Sequence, residues 1–159
     1  MGVTGGYVGR VSESGEDPYG LGRWSYISLA GQNDRKLYVV SAYRVSQDHN
    51  STGDATAHKQ QMRLLRQRGL NNPNPRKQWC DDLLALVETW IAEGAEVLIM
   101  ADANSPLNDK GFGSFVARSK LYDILGAKHG MNSPPTYLRG SNTIDFMLGT
   151  ERVSRAVIC

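Results

Sequence analysis

Val97-Leu98-Ile99-Met100-Ala101-Asp102-Ala103-Asn104 passes from a wholly apolar run into a polar loop within one step. Five consecutive apolar residues predict a buried central strand of an α/β sheet. The loop that follows, Asp102-Ala103-Asn104-Ser105-Pro106, stands at the carboxyl end of that strand, which is where open α/β sheets bind ligands. Period-two spacing places the Asp102 and Asn104 side chains on the same side of the backbone. A carboxylate beside an amide suits phosphate-ester hydrolysis. The carboxylate takes a proton from water or holds a cation, and the amide donates to a phosphate oxygen. The same residues also make an ordinary turn, and spacing alone does not separate the two readings.

Upstream of this run, Trp79, Leu83, Leu86, Val87, Trp90 and Ile91 recur at helical spacing and predict a helix from Pro75 to Glu93. Asn74 is placed to cap it, Pro75 suits its first position, and Gly94 closes it. Residues 57–68 favour a second helix, stopped by Gly69. Arg23–Leu29 and Lys36–Tyr43 read as strands joined by the turn Gly31-Gln32-Asn33-Asp34, and so short a connection makes them antiparallel neighbours. Residues 1–22 are Gly-rich and polar, with a turn at Asp17-Pro18-Tyr19-Gly20, and read as irregular, as does the polar segment 46–56. Downstream, Phe112–Leu125 is expected to be a helix. Thr136–Arg139 and Thr143–Leu148 are expected to form a hairpin around Gly140-Ser141-Asn142.

The bulk properties set bounds. A chain of 159 residues with 40% hydrophobic and 21% charged content suits one domain with a core of its own. A net charge of +2 neither requires nor excludes a nucleic-acid partner. Cys80 and Cys159 are too few for a disulfide scaffold and form no C-x-x-C pair, so a reduced intracellular compartment is expected. The start of the sequence lacks the pattern of a signal peptide, and no stretch is apolar enough to cross a bilayer, so no membrane partner is expected.

Three further features bear on chemistry. Asp145 interrupts the apolar run Thr143-Ile144-Asp145-Phe146-Met147-Leu148, so its charge must meet solvent, a cleft or a cation. Tyr43 ends a buried strand, where its phenol can reach a phosphate or simply pack. Between Asp54 and Asp81 every charge is basic: Lys59, Arg63, Arg66, Arg68, Arg76 and Lys77. Such a run can track a phosphate backbone or be a solvated helix face. His49 and His58 read as solvated surface.

Together these segments resemble the endonuclease/exonuclease/phosphatase superfamily of exonuclease III-like and apurinic-endonuclease-like enzymes. Val39-Val40-Ser41-Ala42-Tyr43, Leu98-Ile99-Met100-Ala101-Asp102-Ala103-Asn104, Thr136-Tyr137 and Thr143-Ile144-Asp145-Phe146-Met147-Leu148 follow that family's motifs in order and approximate spacing. Ala101 stands where Gly is usual, and Thr143 where Arg is usual. Gly22-Arg23-Trp24-Ser25-Tyr26, with the segment Gln61 to Gly69, looks like the endonuclease-like domains found beside retroelement reverse transcriptases.

The resemblance implies a four-layered α/β sandwich with two mixed β-sheets flanked by helices, of which this chain would supply part of each sheet. It implies magnesium- or manganese-dependent phosphodiester hydrolysis. Asp102 would orient or deprotonate water and touch the metal. Asn104 and Tyr43 would hold the phosphate, and Asp145 would orient a histidine. Lys59, Arg63, Arg66 and Arg68 would contact nucleic acid, DNA rather than RNA. A nuclear location would follow for a eukaryotic retroelement. The family's metal-binding Glu strand and its closing S-D-H motif have no match in residues 1–159, so a partial domain with crippled activity is expected. A small-molecule or lipid phosphatase of the same fold, or a non-catalytic nucleic-acid-binding scaffold, are the alternatives.

Overall fold

The computed structural model of the chain describes residues 2–47, 55–130, 134–136 and 142–158. Its centre is a six-stranded mixed sheet in the order β1-β2-β3-β4-β6-β5. The strands are β1 (Val11–Glu16), β2 (Trp24–Ala30), β3 (Lys36–Tyr43), β4 (Glu96–Asp102), β5 (Tyr122–Asp123) and β6 (Asp145–Gly149). The helices are α1 (Ala57–Gln67), α2 (Pro75–Ala92), α3 (Lys110–Ser119), α4 (Ile124–His129) and α5 (Glu151–Ile158), preceded by a 3-10 helix at Gly5–Arg10. The α/β class and the mixed sheet are as expected. Among the described residues the strands form one sheet, where the resemblance implied parts of two.

β2 and β3 form the expected antiparallel hairpin, paired from Trp24 opposite Ala42 to Ala30 opposite Lys36. The turn is closed by the Gly31 N–H donating to the Arg35 carbonyl at 2.7 Å, with Asn33 and Asp34 both at positive φ. Asn and Asp tolerate that left-handed conformation better than other side chains do. β3 then runs parallel to β4, and β4 antiparallel to β6. The long connection between β3 and β4 carries α1 and α2.

Strand alternation sorts the side chains into two faces. On one face Tyr38, Val40, Ala42, Val97, Ile99, Ala101, Phe146 and Leu148 are buried against Trp79, Leu83, Val87 and Trp90 of α2 and Phe112 and Phe115 of α3. β4 is therefore buried on one face, not on both as its composition suggested. Leu98 is half-buried and Met100 remains 41% exposed on the opposite side. An apolar residue on an open strand face looks the same in sequence as one in the core.

α2 begins as expected. Pro75 occupies its first turn, and the Asn74 side chain accepts from the N–H groups of Arg76 at 3.0 Å and Lys77 at 3.1 Å. Two expectations need correction. The polar 1–22 segment contains β1, an edge strand whose Gly15 lies under the Tyr26 ring. A Cβ there would meet that ring at 2.5 Å. The expected Phe112–Leu125 helix is two helices with β5 between them. α3 ends where Lys120 turns left-handed (φ 56°), and the Asp123 side chain caps a new helix by accepting from the Gly126 N–H at 3.1 Å. For the expected hairpin, residues 137–141 lie outside the described residues. Thr136 sits in a bend, and β6 runs between β4 and β5. Among the described residues, no helix is long and apolar enough to cross a membrane.

Candidate active site

The register of the central strands decides what the site contains. Tyr43, the last residue of β3, is level with Asp102, the last residue of β4. On the other side of β4, Asp102 stands opposite Asp145, the first residue of β6. The three side chains form one rung across three neighbouring strands, on the face away from α2. Neighbouring strands are about 5 Å apart, so both carboxylates and the phenol can address one small group. Backbone bonds continue the ladder beyond the strand ends. The Arg44 N–H donates to the Asp102 carbonyl at 2.8 Å, and the Ala103 N–H donates to the Ile144 carbonyl at 2.9 Å.

The loop after β4 is shaped by its own polar groups. Asn104 adopts positive φ (47°), and its N–H donates to the Asp102 carboxylate at 3.2 Å. The Asn104 amide nitrogen also donates to the Arg44 carbonyl at 2.8 Å, which leaves one amide hydrogen for a ligand. Thr136 was singled out only as part of a motif. Its hydroxyl oxygen accepts from the N–H groups of Ile144 at 2.9 Å and Asp145 at 3.1 Å, anchoring the start of β6. Tyr137 lies outside the described residues.

Two further anchors were missed. Arg44 and Arg76 are 3% and 7% exposed, and both donate to the Ser105 hydroxyl oxygen. Arg76 also donates to the Val45 and Asn104 carbonyls. The only sequence signal was the position of Arg44, directly after Tyr43. Arg76 passed for one charge in a basic run.

No family model and no curated protein sequence matches the chain. Solved structures do. The catalytic domain of Xenopus laevis APE2 superposes with a TM-score of 0.56 at 14% identity, covering 84% of this chain and 48% of that one. The 3′ phosphatase NExo from Neisseria, bound to product DNA hairpin, gives 0.56 at 14% identity over 84% and 54%. An endonuclease/exonuclease/phosphatase family protein from Bacteroides thetaiotaomicron gives 0.52 at 12% identity over 89% and 51%. The chain has an endonuclease/exonuclease/phosphatase-like fold. It spans about half the length of each of these structures.

On this endonuclease/exonuclease/phosphatase-like scaffold the expected basic contacts separate. Arg63 and Arg66 lie exposed on α1, and Lys59 is half-buried near its start. Arg68 is also exposed but is engaged within the chain. It donates to the Tyr19 carbonyl at 2.6 Å and lies over the Tyr19 ring at 4.8 Å. His58 is half-buried and lines a cleft, contrary to the reading of plain surface.

The rung has an electrostatic consequence. Burial pushes the Asp102 carboxyl above its ordinary value. The N–H from Asn104 opposes this, and the facing Asp145 charge adds to it. An acid whose folded pKa is raised destabilises the fold when ionised. That penalty is absent below the ordinary value of 3.8 and is complete once pH has risen past the raised folded value. Asp102→Asn is therefore expected to stabilise the chain at pH 7 by up to about 1 kcal/mol, since like charges across a strand pair repel. The gain should shrink as pH falls through the raised value. Urea denaturation of both forms across that range checks this, and a variant no more stable at neutral pH would count against the facing carboxylates.

Proposed function

We propose that the chain belongs to a divalent-cation-dependent hydrolase of phosphodiesters in nucleic acid, DNA rather than RNA, and that alone it carries out this reaction with crippled activity. The observation that carries this reading is the single rung of Tyr43, Asp102 and Asp145 at the ends of β3 and β4 and the start of β6. The donor set suits a hard cation. Among the described residues no three acidic, histidine or cysteine side chains gather into a metal cluster, and the rung offers two carboxylates. Magnesium is commonly bound through one or two carboxylates while keeping several waters. Asp102 and Asp145 would hold it, and it would neutralise charge on the phosphate oxygens.

The chain's own groups then have defined tasks. Asp102 accepts a proton from the attacking water as its oxygen bonds to phosphorus. The P–O bond to the leaving sugar oxygen breaks, and that oxygen takes a proton from solvent. The Tyr43 phenol, 40% exposed, and the second amide hydrogen of Asn104 donate to non-bridging oxygens. Exposed Arg63 and Arg66 supply charge for a polyanionic strand. The DNA hairpin held by NExo, on the same fold, supports the choice of partner.

Two measurements test the reading. With magnesium and supercoiled plasmid, Asp102→Ala is expected to nick at least about a hundredfold more slowly than the parent chain, as loss of a general base usually costs. Manganese should raise the Tm of the parent chain and leave the Asp102→Asn/Asp145→Asn double variant unmoved, a readout that does not depend on turnover. Equal nicking by both chains, or equal manganese stabilisation of parent and double variant, would refute the assignment.

A further inference from the structure

A cleft of about 540 Å³ opens between α2 and α3, away from the rung, and none of Tyr43, Asp102 or Asp145 lines it. Its walls carry the cations Arg44, Arg76, Lys77, Lys110 and Arg118 against the carboxylates Asp81 and Asp109. Those two carboxylates are already engaged. Asp81 pairs with Lys77, and Asp109 lies 3.5 Å from Arg44. Arg76, Lys110 and Arg118 form no ion pair among the described residues, and Arg76 feels Asp109 only through a charge that Arg44 shares. Arg76 is the telling one: it is 7% exposed and its hydrogen bonds go to neutral oxygens of Val45, Asn104 and Ser105. Burying a guanidinium beside a second buried guanidinium is costly unless an anion balances them. Gly111 lets the first turn of α3 close over Arg44. A Cβ there would stand 3.2 Å from the Arg44 guanidinium.

We propose that this cleft binds a phosphate group, at a site separate from the hydrolytic rung. The inference stands on the cleft's charge balance and does not rest on the hydrolytic reading. A tetrahedral oxyanion can accept from Arg118, Lys110 and the inner guanidiniums at once, in charge-assisted hydrogen bonds. The group is either a backbone phosphate of a nucleic-acid strand or a free phosphoanion, since both present the same oxygens.

Inorganic phosphate is titrated against chloride at constant ionic strength, following thermal unfolding and 31P line width. The parent chain should show a saturable rise in Tm. The Lys110→Gln/Arg118→Gln variant alters two exposed side chains and leaves the buried arginines in place. It should bind phosphate about tenfold or more weakly. Asp102→Ala should bind phosphate as the parent does. A short single-stranded DNA that displaces phosphate identifies a strand as the source, and failure to displace it identifies a free phosphoanion. No saturable rise, an equal rise in the double variant, or loss of binding in Asp102→Ala would each overturn the proposal.

Discussion

Arg23→Ala is expected to lower the unfolding free energy by about 3–5 kcal/mol, the usual cost of removing one partner from a buried ion pair. Arg23 is fully buried. Its Nε and Nη2 each donate to the Asp17 carboxylate at 2.8 Å, and its Nη1 donates to Asp82 at 2.7 Å. The same guanidinium lies 4.4 Å from the centre of the Trp24 ring. Asp17 is itself 3% exposed, and without Arg23 its charge would lose its ion-pair partner. Burial alone would raise the Asp17 carboxyl, but the hydrogen bonds from Arg23, the N–H of Tyr19 and the charge of Arg23 together outweigh it and the net shift is downward. A lowered folded pKa contributes stability above the ordinary value of 3.8 that is lost as pH falls through the folded value. Urea denaturation at neutral pH gives the loss directly. Asp17→Ala/Arg23→Ala should lose less than the two single changes summed, because the second removal deletes the stranded charge. Strict additivity would show that the pair is not coupled.

Trp90→Ala is expected to cost about 3–5 kcal/mol, the range for emptying a large aromatic site in a core. Trp90 is 4% exposed on the sheet side of α2. Its ring stacks on Tyr38 at 4.1 Å and 11°, and meets Tyr26 edge-on at 4.9 Å. Those contacts add to the burial term. They also tie α2 to β2 and β3 together, so the cavity would open where three elements meet. A measured loss below about 1 kcal/mol would mean that this face of α2 does not hold the helix to the sheet.

Trp90 sits in an element that was readable from the sequence, and Arg23 lies one residue before another, β2. α2 was visible because its apolar period, its Asn74 cap and Pro75 agree. Asp102 was visible as a charge at the end of an apolar run, and Asp145 as a charge interrupting one. Their pairing was not, because the parallel register of β3 on β4 and the antiparallel register of β6 are tertiary facts. No local pattern states them. β1 escaped because an edge strand with one neighbour and polar side chains shows no alternation of burial. The break after α3 left a faint mark, an Asp123 three residues before Gly126, overridden in reading by the apolar residues around it. Arg76 was misplaced for a different reason. Charge in a basic run is usually solvent-facing, and only the crossing of α2 past the β4 loop brings this one inside.

The parallel joint between β3 and β4 also governs the order in which the chain can fold. The β2–β3 hairpin and α2 need only local contacts. Val40 and Ile99, paired in the sheet's centre, lie about 60 residues apart, and closing so long a loop is slow. Tyr43 and Asp102 meet only when that loop closes. A kinetic intermediate holding the hairpin and helix would thus carry only part of the secondary structure and none of the rung, and assembly of the rung should trail the first helical signal during refolding.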